Sequence, residues 1–310
     1  QALRNFSEGV AITKPVMFAS VLALGGNIAG NYIFMYGKLG MPRLGATGCG
    51  VASAIVMWGM ALFMAAYILW TPYYRRFGAF RHFDWPRWGE VAALVRLGAP
   101  IGVSMFMEAS LFGAVALLMG SLGTTEVAGH QIALNFAAMT WTVPLGLSLA
   151  ITVRVGQAIG RGEPDAARLA GFAGIWLAAL FMTCSALAMF SIPRWIAGIY
   201  TGDPAVKNMA VSLLFMAAIF QIFDGLQVAG AGALRGLKDT KVPMVLTSFA
   251  YWGIGMPLGY VLGITLNGGP RALWIGFICG LGAAAVALNL RFHLVTRRLV
   301  HAASTTDLVV

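Results

Sequence analysis

Two carboxylates stand where an apolar chain is least hospitable to charge. Glu108 sits in the run SMFMEASLF and Asp224 in IFQIFDGLQV, both surrounded by Met, Phe, Leu and Val. The other nine of the eleven acidic residues fall in polar stretches or near the termini. An ionised carboxylate held at the middle of a bilayer costs on the order of 2.5–3.5 kcal/mol on insertion scales, so such a residue is retained facing a protein interior and not lipid. One lone acid can be a neutral interhelical clasp. Two, with no Lys or Arg expected at comparable depth, fit better as a binding site for a cation or a proton. Burial favours the protonated carboxyl and a bound cation favours the carboxylate, and that opposition lets one site exchange the two.

Other polar residues lie near these acids. Gln221 and Gln227 are about one turn from Asp224 on either side, and Phe220 shares that face. Gln131 and Asn135 lie one turn apart in HQIALNF. The amides read either as interhelical hydrogen-bonding groups or as substrate contacts. Together with Glu108 and Asp224 as the coupling carboxylates, Gln131, Asn135, Phe220, Gln221 and Gln227 form the candidate cavity. His130, by contrast, reads as structural. Apolar surface beside a carboxylate suits an amphipathic organic cation.

The elements that position these residues follow from composition. Of 310 residues 59% are hydrophobic and 39 are Gly, while only 10% are charged. Soluble domains carry about 25% charged residues, so this chain is an integral membrane protein and water is not its main solvent. Eight apolar runs approach the roughly 20 residues a bilayer-spanning helix needs: about 15–35, 46–71, 94–119, 131–153, 166–190, 207–232, 242–265 and 271–295. Between them lie Gly, Pro and charge clusters, including YYRRFGAFRHFDWPRWGE at 73–90 and LRGLKDTK at 234–241, which read as loops. With alternating helices, 16 Lys and Arg fall on the side of both termini and 5 on the other. The positive-inside rule then places both termini in the cytoplasm of an inner (plasma) membrane. The net charge of +10 is explained by anionic headgroups, without nucleic acid.

The three cysteines, Cys49, Cys184 and Cys279, have no CxxC or metal-ligand spacing. The GxxxG runs GNIAG and GFICG read as packing contacts, and Pro100, Pro144 and Pro257 as bends. Hydrolase motifs are absent, as is the Lys-Ser/Thr ending of a phosphate loop. No cofactor is called for.

An internal repeat organises the runs. Shifted by 228 residues, Pro15, Ser20, Gly25, Tyr32, Gly40, Pro42, Arg43 and Gly48 fall on Pro243, Ser248, Gly253, Tyr260, Gly268, Pro270, Arg271 and Gly276, eight identities in 34 positions. Helices one and two therefore take the place of seven and eight, and the repeat unit is six helices. A shift of six preserves orientation, giving parallel repeats of the kind alternating-access transporters use. The expected organisation is all-α: eight transmembrane helices here, from a twelve-helix transporter of two six-helix lobes. Residues 1–14 would be the cytoplasmic end of a truncated helix and its loop, and 15–71 the last two helices of the N-terminal lobe. Residues 72–93 would be a cytoplasmic inter-lobe loop, 94–298 a complete C-terminal lobe and 299–310 a cytoplasmic tail.

The runs PIGVSMFMEASLF, GSLGTTEVAGHQIALNF, TVRVGQAIGRGEPDAAR and FDGLQVAGAGALRGLKDTKVPM resemble the second half of the multidrug and toxic compound extrusion (MATE) family, in its NorM branch, and NYIFMYGKLGMPRLGATGCG resembles its fifth and sixth helices. The resemblance implies a monomeric antiporter, not an enzyme, that exports cationic lipophilic drugs or dyes in exchange for Na+ or H+. By position it assigns Glu108 and Asp224 to the coupling acids of the seventh and tenth helices, with Na+ on both carboxylates if sodium is the ion. Some members carry Tyr where this chain has Phe220, so a hydroxyl ligand is lost here. The alternatives are a flippase for lipid-linked precursors, which would favour Arg in its cavity, and a membrane-embedded transferase, which would need an acidic cluster for Mg2+ that the sequence lacks.

Overall fold

The computed structural model describes residues 1–10, 12–75, 85 and 87–306. The expected inter-lobe loop at 72–93 and the tail at 299–310 therefore fall partly outside the described residues. Among these residues twelve α-helices run in order: α1 (Ala2–Gly9), α2 (Lys14–Tyr36), α3 (Ala46–Trp70), α4 (Pro72–Arg75), α5 (Trp88–Leu122), α6 (Thr124–Gly160), α7 (Pro164–Ser191), α8 (Pro193–Tyr200), α9 (Pro204–Gly236), α10 (Lys241–Ser248), α11 (Met256–Tyr260) and α12 (Gly269–Thr306). Two π-helical stretches, Phe249–Gly255 and Val261–Thr265, flank α11 and join α10 into one span. No strand occurs among the described residues. Among the described residues eight spans are long and apolar enough to cross a membrane: α2, α3, α5, α6, α7, α9, Lys241–Thr265 and α12.

Several helices outrun their apolar stretches. α5 starts at Trp88, inside the segment expected as loop, and α9 continues to Gly236, into the LRGLKDTK run. α1 and α8 are short helices that hydropathy does not single out; α8 buries Ile196 and Ala197 and leaves Trp195 exposed.

The chain divides into two units, Gln1–Arg87 and Trp88–Val310. In the first, α2 and α3 pair as a hairpin around Val16, Ala19, Met64, Ile68 and Tyr74. A buried hydrogen bond of 2.6 Å joins Ser7 Oγ and Tyr74 Oη. In the second, α9 is the axial helix, in contact with α6, α7, α8 and α12. It buries residues on every side, from Leu213 to Leu234, and Asp224 lies within that stretch. A helix apolar all round belongs in a core. α5 is more peripheral and donates only part of its surface.

Backbone approach sets the α6–α9 crossing. Ser148 Oγ donates to Val228 O at 2.8 Å and Thr152 Oγ1 to Gly232 O at 2.8 Å. Any side chain at Gly232 would overlap Ser148. α12 meets the second half of its preceding span, Lys241–Thr265, in the same way. Gly276 and Gly280 of the GxxxG run lie directly against the backbone of Gly259 and Gly255. In the first unit Gly48 lies against the Phe34 carbonyl and Gly30 against Ala52. The 228-residue shift carries Gly48 to Gly276, but it carries Phe34 to Leu262 where the partner is Gly259, a displacement of three residues. The i→i+5 turn of Val261–Thr265 and the early start of α12 at Gly269 lie between these positions and account for the changed register.

A methyl at Gly276 has no flexible neighbour to displace, because the atoms it meets are backbone. Gly276→Ala should lower the apparent Tm of the detergent-purified full-length protein by several degrees, in line with about 1–3 kcal/mol for overpacking. Gly282→Ala on the same helix, whose new methyl makes ordinary contact with Phe223, should not. Equal melting of the two variants would refute this reading.

Candidate functional site

α5, α6 and α9 together enclose a cavity of about 480 Å³. α5 contributes Met105, Glu108, Ala109 and Phe112; α6 contributes Leu134, Ala137, Ala138 and Trp141; α9 contributes Phe220 and Asp224. Glu108 and Asp224, 116 positions apart in sequence, thus line one space. Its remaining wall is apolar or aromatic. Phe112 and Phe220 sit edge to face, 6.0 Å between centroids, and Phe220 packs at 4.8 Å on Phe277. The aromatic stack continues to Trp274 and holds Phe220 in place.

Glu108 also opens onto a second, smaller chamber of about 80 Å³, room for a few waters or one partly hydrated ion. Met105 and Trp141 are shared by both spaces; Gln227, Arg235 and Tyr251 are among the residues that line only the smaller. Trp252 Nε1 donates to the Met107 carbonyl at 3.3 Å and fixes α5 beside this chamber. Tyr251 enters from the π-helical Phe249–Gly255, as the third residue of the wide stretch ahead of Pro257. Wide turns of this kind recur where a helix must re-aim side chains.

Asp224 is only 5% exposed. The Trp141 indole N–H donates to its carboxylate, while Oδ1 has no protein partner. Gln227 Oε1 and Tyr251 Oη are buried and equally without one. Buried oxygens normally have a hydrogen-bond partner; Gln227 and Tyr251 line the small chamber with Glu108, and Asp224 the large cavity, so each space carries an oxygen free to ligate a small cation or water. Among the described residues no cluster of three or more His, Cys, Asp and Glu exists. A sodium ion on Glu108 and Asp224 would therefore complete its shell from neutral oxygens.

One sequence expectation needs correction. Arg235, read as a loop residue of LRGLKDTK, belongs to the last turn of α9, and its side chain lines the small chamber with Glu108. Nε donates to Ala231 O at 3.2 Å and Nη2 to Ser148 Oγ at 3.1 Å. Arg235 and Glu108 attract one another across this chamber, and Glu108 and Asp224 repel. Glu108 therefore does have a basic residue within electrostatic reach.

The remaining candidates distribute unevenly. Phe220 lines the large cavity and Gln227 the small one. Gln221 is buried in a clasp: Oε1 accepts from Thr140 Oγ1 at 3.1 Å and Ser185 Oγ at 3.2 Å, and Nε2 donates to Met182 O at 3.3 Å. It ties α9 to α6 and α7 and borders neither cavity. Asn135 is exposed and accepts from Tyr200 Oη at 3.0 Å, joining α6 to α8. Gln131 is exposed and lines neither cavity. His130 is fully buried, edge-on to Trp274 at 5.6 Å. Trp141, Arg235 and Tyr251 are the site residues that sequence reasoning misses. Breaking the Gln221 clasp should act on the fold: Gln221→Leu removes the bonds from Thr140 and Ser185, leaving Thr140 only its Ala137 carbonyl contact, and should lower stability by about 1–3 kcal/mol. A thermal melt unchanged from that of the parent protein would argue against it.

The MatE family model matches residues 100–261, more than half of the chain. A probable multidrug resistance protein NorM from Idiomarina loihiensis is 45% identical over 300 residues, 96% of this chain and 65% of the relative. The multidrug resistance protein PmpM of Pseudomonas aeruginosa is 44% identical over 305 residues, 96% of this chain and 63% of its own length. The chain thus spans a little under two thirds of these relatives. Among solved structures, the eukaryotic MATE transporter AtDTX14 superposes with a TM-score of 0.86 at 21% identity, over 97% of this chain and 67% of that one. On the family model and this sequence identity the chain belongs to the multidrug and toxic compound extrusion (MATE) family.

Proposed function

We propose that the full-length protein is a secondary active antiporter that exports lipophilic organic cations in exchange for Na+ or H+, with Glu108 and Asp224 as the coupling carboxylates. The observation that carries this reading is their position in one cavity of about 480 Å³ whose other walls are Met, Ala, Leu, Phe and Trp. Carboxylates supply the attraction for a cation, and the aromatic and apolar walls match its lipophilic body. The partnerless oxygens of Asp224, Gln227 and Tyr251 suit the small coupling ion, sodium or a hydrated proton. The relatives named for multidrug resistance support drug export.

In this reading residues 94–298 form a complete C-terminal lobe and 15–71 the last two helices of the N-terminal lobe. The transporter is monomeric in the inner membrane, with cytoplasmic termini. A cysteine placed at Gly202 should react with an impermeant maleimide from outside intact cells, and one at Arg298 only after permeabilisation, with Cys49, Cys184 and Cys279 replaced. The opposite pattern would invert the topology.

Arg235 gives the flippase alternative one specific observation, since a diphosphate would need a cation in the cavity. A single guanidinium, committed to Ser148 Oγ and Ala231 O, is too little for a diphosphate, and the large cavity holds two carboxyl groups and no basic residue, which favours a cationic cargo. Transport decides between them. Everted vesicles containing the full-length protein should accumulate a fluorescent organic cation when a sodium or proton gradient is imposed, and none when both are collapsed. Flux indifferent to either gradient would overturn the antiport reading, and the gradient that drives uptake identifies the coupling ion.

A further inference from the structure

A separate groove of about 560 Å³ lies where α5 passes the turn between α9 and α10. Three cations line it, Arg96 from α5 and Lys238 and Lys241 from the turn and the first residue of α10. Each is exposed, and none has an acidic partner among the described residues. Asp239, the acid at this position, is already engaged by Arg291 at 3.0 Å. Thr240, 5% exposed, lines the groove with no hydrogen bond to its hydroxyl. The opposite wall is aliphatic, with Leu94 72% exposed. The groove therefore carries three positive charges and a hydroxyl beside an aliphatic surface, at the end of membrane-spanning helices.

We propose that this groove binds the headgroup of an anionic phospholipid. Arg96, Lys238 and Lys241 hold the phosphate, Thr240 donates to one of its oxygens, and the acyl chains lie along Leu94. A basic pocket between spans at headgroup level is the arrangement that selects such lipids. Free phosphate shares the charge but has no use for the aliphatic wall. A headgroup bound here bridges α5, which carries Glu108, to the end of α9, which carries Arg235 and Asp224.

Lys238 makes the proposal testable without damage to the fold. Its φ of +60° is a left-handed conformation that disfavours a non-glycine residue. Lys238→Gly relieves that strain while it removes one charge. Native mass spectrometry of the full-length protein, extracted from vesicles of three parts phosphatidylcholine to one part phosphatidylglycerol, should show retained phosphatidylglycerol. Lys238→Gly should weaken retention about fivefold at undiminished Tm, and Arg96→Gln with Lys241→Gln should nearly abolish it. Arg297→Gln with Arg298→Gln, an equal loss of charge at exposed sites on α12, should leave it unchanged. Equal loss in that control would reduce the effect to general surface charge, and unchanged retention in the groove variants would refute the site. Displacement of the lipid by millimolar inorganic phosphate would refute the choice of a lipid as occupant.

Discussion

Glu108→Gln and Asp224→Asn, each in the full-length protein, are expected to lower drug efflux at least tenfold with membrane expression unchanged. Both substitutions keep side-chain shape and remove the charge. At Asp224 the amide oxygen can still accept from the Trp141 indole, so the local packing of α9 against α6 survives. What disappears is the attraction between the cavity and a cation, together with the protonatable oxygen that exchange requires. The two acids interact electrostatically and line one space, so the double variant should be no worse than either single one, as residues that act as a unit are not additive. Efflux above half of the wild-type rate in either variant would remove that residue from the coupling site. Phe220→Leu provides the contrast: it keeps apolar volume and both charges while removing the aromatic face, and should narrow the range of exported cations without uncoupling transport.

What the sequence disclosed of this site, and what it concealed, divides along physical lines. Glu108 and Asp224 stand out because a charge interrupting an apolar run has a large, uncompensated desolvation cost, and cost is visible without coordinates. Gly276 and Gly280 were legible as packing residues for a similar reason: a Gly pair four apart in a spanning helix permits close approach. Arg235 was concealed because hydropathy marks the end of an apolar run near residue 232, whereas α9 continues one further turn to Gly236. A long basic side chain can extend along the helix away from the position of its Cα, so sequence depth and charge depth differ. Trp141 looks like one more apolar residue until Asp224 is found opposite its N–H. Tyr251 depends on a π-helical stretch that no periodicity predicts. The amides were ambiguous in principle: Gln221 and Gln227 lie on one helix within two turns, yet the first is consumed by hydroxyls of neighbouring helices and the second faces the small chamber. Only the neighbours decide which.

Arg235→Gln carries the second large expected effect, and its sign separates a charge role from a packing role. The guanidinium is fixed by Ala231 O and Ser148 Oγ, and Ser148 is itself anchored to Val228 O. From that anchored position it acts as an internal counter-charge to Glu108, and in the proposed antiport it occupies part of the field that an exported cation would use. Removing it takes one positive charge out of the region. At an effective dielectric constant near 20, one unit charge at roughly 8–10 Å contributes about 2 kcal/mol. Partial screening reduces this to a tightening of cation binding of about tenfold. Tetraphenylphosphonium, titrated calorimetrically into purified full-length protein, should thus bind Arg235→Gln more tightly than wild type, while efflux by the same variant slows because release is opposed. Arg235→Lys keeps the charge and should restore the wild-type Kd, even though the forked contacts to Ser148 and Ala231 are lost. In a Glu108→Gln background the Arg235→Gln tightening should shrink, since Glu108 is the acid that Arg235 opposes. Weaker binding by Arg235→Gln, with no recovery in Arg235→Lys, would make Arg235 a structural clasp of α6 and α9 and would end its role as counter-charge.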